Sequence, residues 1–177
     1  MRFEETPLPG VVIVELDPIE DERGFFARTW CRDAFEARGL SGDLAQVSIS
    51  FNRMAGTLRG MHYQEAPHAE VKLVRVTRGA LFDVALDLRA GTPTYKQWTA
   101  VDLTAESRRA LYVPPGVAHG FQTLVDDTEV LYQISPAYVP GAGRGVRWDD
   151  AAFGIDWPAT EARIISARDA AYTDFTG

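Results

Sequence analysis

Leu58-Arg59-Gly60-Met61-His62-Tyr63-Gln64 gathers a cation, a glycine, a histidine and two further polar side chains into seven residues. How this stretch is read decides the fold. As a strand, it sends Arg59, Met61 and Tyr63 to one face and Leu58, Gly60, His62 and Gln64 to the other. His62 is one of three histidines in the chain. Taken alone it reads either as a core histidine satisfied by a carbonyl or as a base facing a cavity, and its partners decide between the two.

Segments on both sides of this stretch repeat the strand pattern. Downstream, Lys72, Val74 and Val76 alternate with Leu73, Arg75 and Thr77. Residues 80–88 form an apolar run carrying Asp83 and Asp87, and residues 97–103, 110–113 and 129–135 read as further strands. Upstream, residues 11–16, 25–30 and 45–51 do the same, with Gln46, Ser48 and Ser50 sharing a face. Pro114-Pro115-Gly116 is a stiff turn that delivers His119-Gly120-Phe121, and residues 141–145 read as a glycine loop. A short helix is expected over residues 33–40 and a last helical turn from Ala167. Many short strands with turn signals between them and little helix predict an all-β chain, a jelly-roll β-sandwich or barrel with a few short helices. The whole chain, residues 1–177, reads as a single domain.

Composition narrows the partners. The 177 residues carry a formal charge of −7 and no basic stripe, which argues against nucleic acid. The surplus of acid does not exclude an anionic small ligand, because a few Arg and Lys can dominate one pocket. One cysteine, Cys31, gives no disulfide framework. No apolar run approaches the ~20 residues that span a membrane, and the first residues lack a hydrophobic signal region. A cytoplasmic protein with no membrane partner is the expectation.

Several side chains can carry chemistry, each with a plainer alternative. His62, His68 and His119 are potential metal ligands. A metal-binding strand in such a fold usually supplies two histidines at alternate positions, however, and here the pair is His62 and Gln64 with no acid close behind. No metal and no cofactor is expected. A histidine base works best when a carboxylate fixes its tautomer. Asp83, Asp87 and Asp169 are candidates, and the residues alone do not choose among them. Asp83 also reads as a buried structural acid, and Asp169 as a helix-capping or solvated one. Tyr132 is either core or a general acid. Arg23, Arg59, Lys72 and Arg168 form an anion pocket or are surface charges. Phe26 and Tyr138 stack on a ligand or fill the core.

Longer blocks resemble a known family. They are Asp21 to Phe26, Gly56-Thr57-Leu58-Arg59-Gly60-Met61-His62-Tyr63-Gln64, Lys72 to Val76, Phe82 to Arg89, Val113-Pro114-Pro115-Gly116-Val117-Ala118-His119-Gly120-Phe121, Arg147-Trp148-Asp149-Asp150 and Gly154 to Pro158. In order and spacing they are similar to the dTDP-4-dehydrorhamnose 3,5-epimerase family. The resemblance implies a cupin-like jelly roll, a homodimer without a metal, and a nucleotide-diphosphate 4-keto-6-deoxyhexose as substrate. It implies epimerisation at C3, C5 or both through an enolate. It makes His62 the base, Asp169 its carboxylate partner, Tyr132 the acid on the opposite face and Lys72 the group that stabilises the enolate oxygen. It suggests Arg23, Arg59, His119 and Arg168 for diphosphate or sugar contacts, and Phe26, Gln46 and Tyr138 for the nucleotide end.

Three features depart from the family pattern: Arg28 and Gly143 where Glu is common, and the segment 46–52, which replaces a Gln-Asp-Asn pattern and is one residue longer than usual. Two other classes compete with the epimerase, a metal-dependent cupin isomerase or oxygenase and a non-catalytic sugar-nucleotide-binding domain. One geometric difficulty stands out. In a flat strand Arg59 and His62 face opposite ways, so a shared ligand requires a twist or bulge near Gly60. Otherwise Arg59 serves the rim or a neighbouring subunit.

Overall fold

The alternating segments pair into two sheets that face each other. The structure, a computed structural model, describes residues 1–176. In chain order the elements are β1 (Arg2–Glu5), β2 (Val12–Glu15), β3 (Ile19–Asp21), β4 (Gly24–Phe26), α1 (Arg32–Glu36), β5 (Gln46–Asn52), β6 (Thr57–Gln64) and β7 (Val71–Arg78). They continue with β8 (Ala80–Asp87), β9 (Trp98–Thr104), β10 (Ala110–Val113), β11 (Val117–Thr123), β12 (Thr128–Ser135), β13 (Gly143–Gly145), β14 (Ile164–Ile165) and α2 (Ala167–Ala170). One sheet runs β1-β2-β10-β7-β12-β5 and the other β13-β6-β11-β8-β9, with β14 pairing β6 in parallel. The all-β sandwich with short helices is as the sequence predicts.

Alternation sorts the side chains between the layers. Val74, Val76, Leu111, Val113 and Val130 from the first sheet meet Leu81, Ala85, Val117 and Phe121 from the second in the central core. Because Lys72 shares a face with Val74 and Val76, and Tyr132 with Val130, both polar side chains are carried inward. The outer face of the first sheet is covered by Phe35 of α1 over Val12, Val14, Leu73 and Tyr112. The outer face of the second is covered by the C-terminal segment, with Val146 and Phe153 over Met61, Val84 and Leu86.

Four local expectations change. The strand expected over residues 25–30 pairs only at β4, which forms a small hairpin with β3. The helix expected to reach residue 40 stops at Glu36, with Ala37 as its C-cap. The Pro-Pro-Gly turn leads into β11, the strand joining β6 to β8. The glycine loop contains a paired strand: Gly143, Arg144 and Gly145 lie opposite Gln64, Tyr63 and His62. Gly145 is needed there, since a Cβ would come within 2.2 Å of the Tyr172 ring.

Candidate active site

The quoted stretch bulges near Gly60, the first of the two outcomes the sequence left open. His119 of β11 pairs with His62 of β6, and Phe121 with Arg59. Two steps along β11 therefore match three along β6, so β6 carries an extra residue between Arg59 and His62. That residue resets the alternation, and Arg59 and His62 line the same cavity. Gly60 permits the bulge. Its φ is +142°, a region unsuited to L side chains, and a Cβ would sit 2.6 Å from Gly120 Cα.

The cavity, about 350 Å³, opens between the sheets at one end of the sandwich. Ser48, Ile49 and Ser50 of β5, Arg59, His62, Tyr63 and Gln64 of β6, Lys72 of β7, His119 of β11 and Tyr132 of β12 form much of its wall. Glu70, Tyr138, Arg144 and Arg168 complete the polar lining. Four cations and one acid thus face the interior of a chain whose net charge is −7. Such a wall selects an anionic ligand.

His62 meets Asp169 across 2.8 Å, Nε2 to Oδ1. Asp169 also accepts the Gly60 N–H at 3.3 Å. Burial alone would push the Asp169 carboxyl up, but the hydrogen bonds from His62 and Gly60 outweigh it and hold the group below the usual carboxylate range. An ionised carboxylate only accepts, so His62 Nε2 carries the proton and Nδ1 keeps its lone pair. Asp169 is set in place by α2, whose N-cap Ser166 accepts the Asp169 N–H at 3.1 Å. Ser166-Ala167-Arg168-Asp169 has the spacing of a capping box, and the acid of that box also reaches His62 on β6.

Lys72 is buried. Its Nζ donates to the His62 carbonyl at 3.0 Å and lies 2.7 Å from Glu70 Oε1. Burial pushes its ammonium below the ordinary lysine range, while Glu70 and then Asp83 work the other way. Tyr132 reaches into the cavity from the sheet opposite His62. Burial first, then the charge of Asp83, pushes its phenol far above the ordinary value despite Arg59, so the hydroxyl stays protonated. Beside it stands a second His–Asp pair, His119 Nε2 to Asp83 Oδ1 at 2.7 Å, with Asp83 fully buried and His119 nearly so at the cavity wall. The His119 ring packs edge-on to Tyr132 at 5.9 Å.

Of the residues singled out in the sequence, the structure brings together His62, Asp169, Tyr132, Lys72, Arg59, His119, Tyr138 and Arg168. Gln46 stands at the rim, its Oε1 accepting the Tyr138 backbone N–H at 2.7 Å. Arg23 and Phe26 lie elsewhere, on the β3–β4 hairpin. There Phe26 is 71% exposed and Arg23 pairs with Asp21 at 2.5 Å. Arg59 is oriented by Asn52, whose Oδ1 accepts its Nε–H at 2.8 Å. Sequence reading missed Glu70, Arg144 and the pocket side of Ser48 and Ser50; Ser50 Oγ is buried with no protein partner. Among the described residues no group of three or more His, Cys, Asp or Glu side chains is placed to share a metal ion.

Comparison with known proteins is consistent across three measures. A family model described as dTDP-4-dehydrorhamnose 3,5-epimerase matches residues 5–176. The chain is 40% identical over 169 residues to the Sinorhizobium fredii protein of that name, covering 96% of this chain and 87% of that one. The crystal structure of the Bacillus anthracis protein of that name, with TDP and PPi bound, superimposes with a TM-score of 0.93 at 37% identity, over 98% of this chain and 99% of that one. A Legionella pneumophila dTDP-6-deoxy-D-glucose-3,5-epimerase in complex with dTDP-4-keto-L-rhamnose gives 0.90 at 35% identity, over 97% and 90%.

Proposed function

The chain belongs to the dTDP-4-dehydrorhamnose 3,5-epimerase family, and we propose that it epimerises C3, C5 or both of a nucleotide-diphosphate 4-keto-6-deoxyhexose, with dTDP-4-dehydro-6-deoxyglucose as the leading substrate. It is an isomerase of deoxysugar biosynthesis. The observation that carries the mechanism is the placement of His62 and Tyr132 on opposing sheets across one cavity.

Both reacting carbons flank the C4 ketone, so loss of either proton places charge on the same oxygen. His62 takes the proton through its free nitrogen, and Asp169 stabilises the imidazolium that forms. Lys72 donates to the oxygen that gains charge, an interaction commonly worth several kcal/mol in a water-poor site. Tyr132, kept protonated by its surroundings, returns a proton to the opposite face of the carbon. His62 then gives up its proton and Tyr132 regains one, each through solvent, which restores the starting state. The proton delivered differs from the one removed, so each turnover introduces solvent hydrogen. Arg59, Arg168 and His119 hold the diphosphate and sugar, and Gln46 and Tyr138 the nucleotide end.

The homodimer belongs to the same proposal. β5 is an edge strand of the first sheet, and Val47, Ile49 and Phe51 on its outer face are 55%, 62% and 45% exposed. A long apolar edge calls for cover. The β3–β4 hairpin presents the matching surface, with Ile19 and Phe26 72% and 71% exposed. A second copy laying its hairpin along β5 would bring Arg23 and Phe26 to the mouth of the cavity, which Ile49 also borders. No helix among the described residues is long and apolar enough to cross a membrane. The free thiol of Cys31 suits a reducing cytoplasm, the proposed site of action.

The direct test is solvent deuterium entry at C3 and C5 of dTDP-, UDP-, GDP- and CDP-linked 4-keto-6-deoxy sugars, read by NMR. Exchange with the dTDP sugar is expected. No exchange with any of the four would overturn the reading.

A further inference from the structure

Lys72 is held by more than its place on β7. An ammonium has three N–H donors. One points to Glu70 Oε1 at 2.7 Å and a second to the His62 carbonyl at 3.0 Å. Among the described residues no protein acceptor takes the third, and Lys72 lines the cavity. The Lys72 and Glu70 side chains are only 8% and 9% exposed. Glu70 is itself tied down on its far side. Its Oε2 accepts from Gln64 Nε2 at 3.1 Å. Gln64 is in turn fixed by the Val139 N–H, which donates to its Oε1 at 2.9 Å, and by the His68 carbonyl, which accepts at 3.3 Å.

Resting on the epimerase reading above, we infer that Glu70 is a positioning residue for the reaction: it fixes the Lys72 ammonium at the cavity wall so that the one uncommitted N–H meets the oxygen on which enolate charge develops. A neutral acceptor would hold the geometry without holding the charge. The groups facing Lys72 are Glu70 beside it, His62 and Arg59 from β6, Asp83 from β8, His119 from β11 and Tyr132 from β12. Arg144 and Arg168 stand across the cavity mouth. Asp83 is engaged with His119, and the arginines disfavour another cation. Glu70 is the acid in direct contact, and burial of Lys72 makes that contact matter more.

The test is Glu70→Gln, which keeps the shape and removes the charge. Solvent deuterium exchange and epimerisation are followed against pH. The expected result is a kcat lower by about tenfold or more, on the scale of a mispositioned catalytic group. KM should stay near wild type, and the alkaline limb of kcat should move to lower pH. Glu70→Asp, with the charge on a shorter arm, should lower kcat while leaving that limb near its wild-type position. In a Lys72→Met background, Glu70→Gln should change kcat no further. A Glu70→Gln enzyme with wild-type kcat and pH limb overturns the inference, as does an undiminished effect in the Lys72→Met background. Should Glu70→Gln not fold, Glu70→Asp decides: a lowered kcat at constant KM supports the role, and wild-type kinetics end it. Wild-type protein that exchanges no proton with any nucleotide sugar removes the epimerase reading and this inference together, whereas wild-type exchange matched by the variants removes only Glu70.

Discussion

Asp169 and His62 stand 107 positions apart in the chain, yet their side chains meet at 2.8 Å, with the acid the more deeply buried of the two. The acceptor-only carboxylate dictates which ring nitrogen is free. Asp169→Asn keeps the shape but can present an N–H to Nε2, which forces the proton onto Nδ1 and removes the base's lone pair. Proton exchange at C3 and C5 should fall by about 10³-fold or more with little change in thermal stability. Exchange within a few-fold of wild type would show that His62 does not depend on this partner.

The two ends of the proton path separate by mutation. His62→Ala should abolish exchange at both carbons, because nothing is left to take the first proton. Tyr132→Phe should spare the first removal more than the completed inversion, so deuterium enters without a matching yield of epimer. NMR of a single sample reads both quantities. Equal loss of exchange and inversion in Tyr132→Phe would assign the first proton to Tyr132 instead.

Gly60 sits at the bulge that turns Arg59 and His62 to one side. Gly60→Ala would place a methyl against the β11 backbone at 2.6 Å in a backbone region that L residues avoid. The strain is on the order of 1–3 kcal/mol before any clash. Urea denaturation should show at least that loss, and KM should rise as Arg59 shifts relative to His62. A variant with unchanged stability and KM would mean that β6 tolerates another local path.

Asp87 links fold stability to pH. Burial would raise its carboxyl, but hydrogen bonds from Arg89 and Thr94 outweigh burial and pull it down to about 2. The unfolded value is ~3.9, so the folded state favours the ionised form. That contribution is fully present above ~pH 5, declines as pH falls, and is gone below about pH 2. Asp87→Asn should cost about 3 kcal/mol at neutral pH, as for breaking a buried pair, and flatten the acid slope of unfolding free energy. An unaltered slope would place the acid sensitivity elsewhere.

Much of the framework was legible in the sequence because alternation survives burial. Lys72 with Val74 and Val76, and Tyr132 with Val130, show their inward face directly. The need for a bulge near Gly60 follows from placing Arg59 and His62 on one ligand, and the register agrees. What stayed hidden lacks local pattern. β13 reads as a loop because two of its three residues have no side chain to alternate; its strand character comes from the free edge of β6. β11 reads as a turn product because Gly120 and the preceding prolines mask a strand that its two neighbours complete. Glu70 precedes β7 and shows its role only once Gln64 and Lys72 are folded around it. Asp169 is the intermediate case: its capping spacing was visible, but its partner lay on another element.

Arg23 and Phe26 bear on the proposed homodimer. They lie outside the cavity of their own chain, on a hairpin whose apolar side chains face solvent, so a role at the site requires the other copy's cavity. Ile49→Lys on the outer face of β5 should shift the protein toward monomer in analytical ultracentrifugation. Arg23→Ala should raise KM for the nucleotide sugar without altering His62. Mixing decides the geometry. Combining inactive His62→Ala subunits with Arg23→Ala subunits gives heterodimers in which one cavity has its own His62 and receives Arg23 from the other chain. At low substrate concentration such a mixture should regain activity above that of either variant alone, approaching half of wild type per heterodimer. If Arg23 served its own chain, every cavity in the mixture would carry one lesion, and no gain would appear.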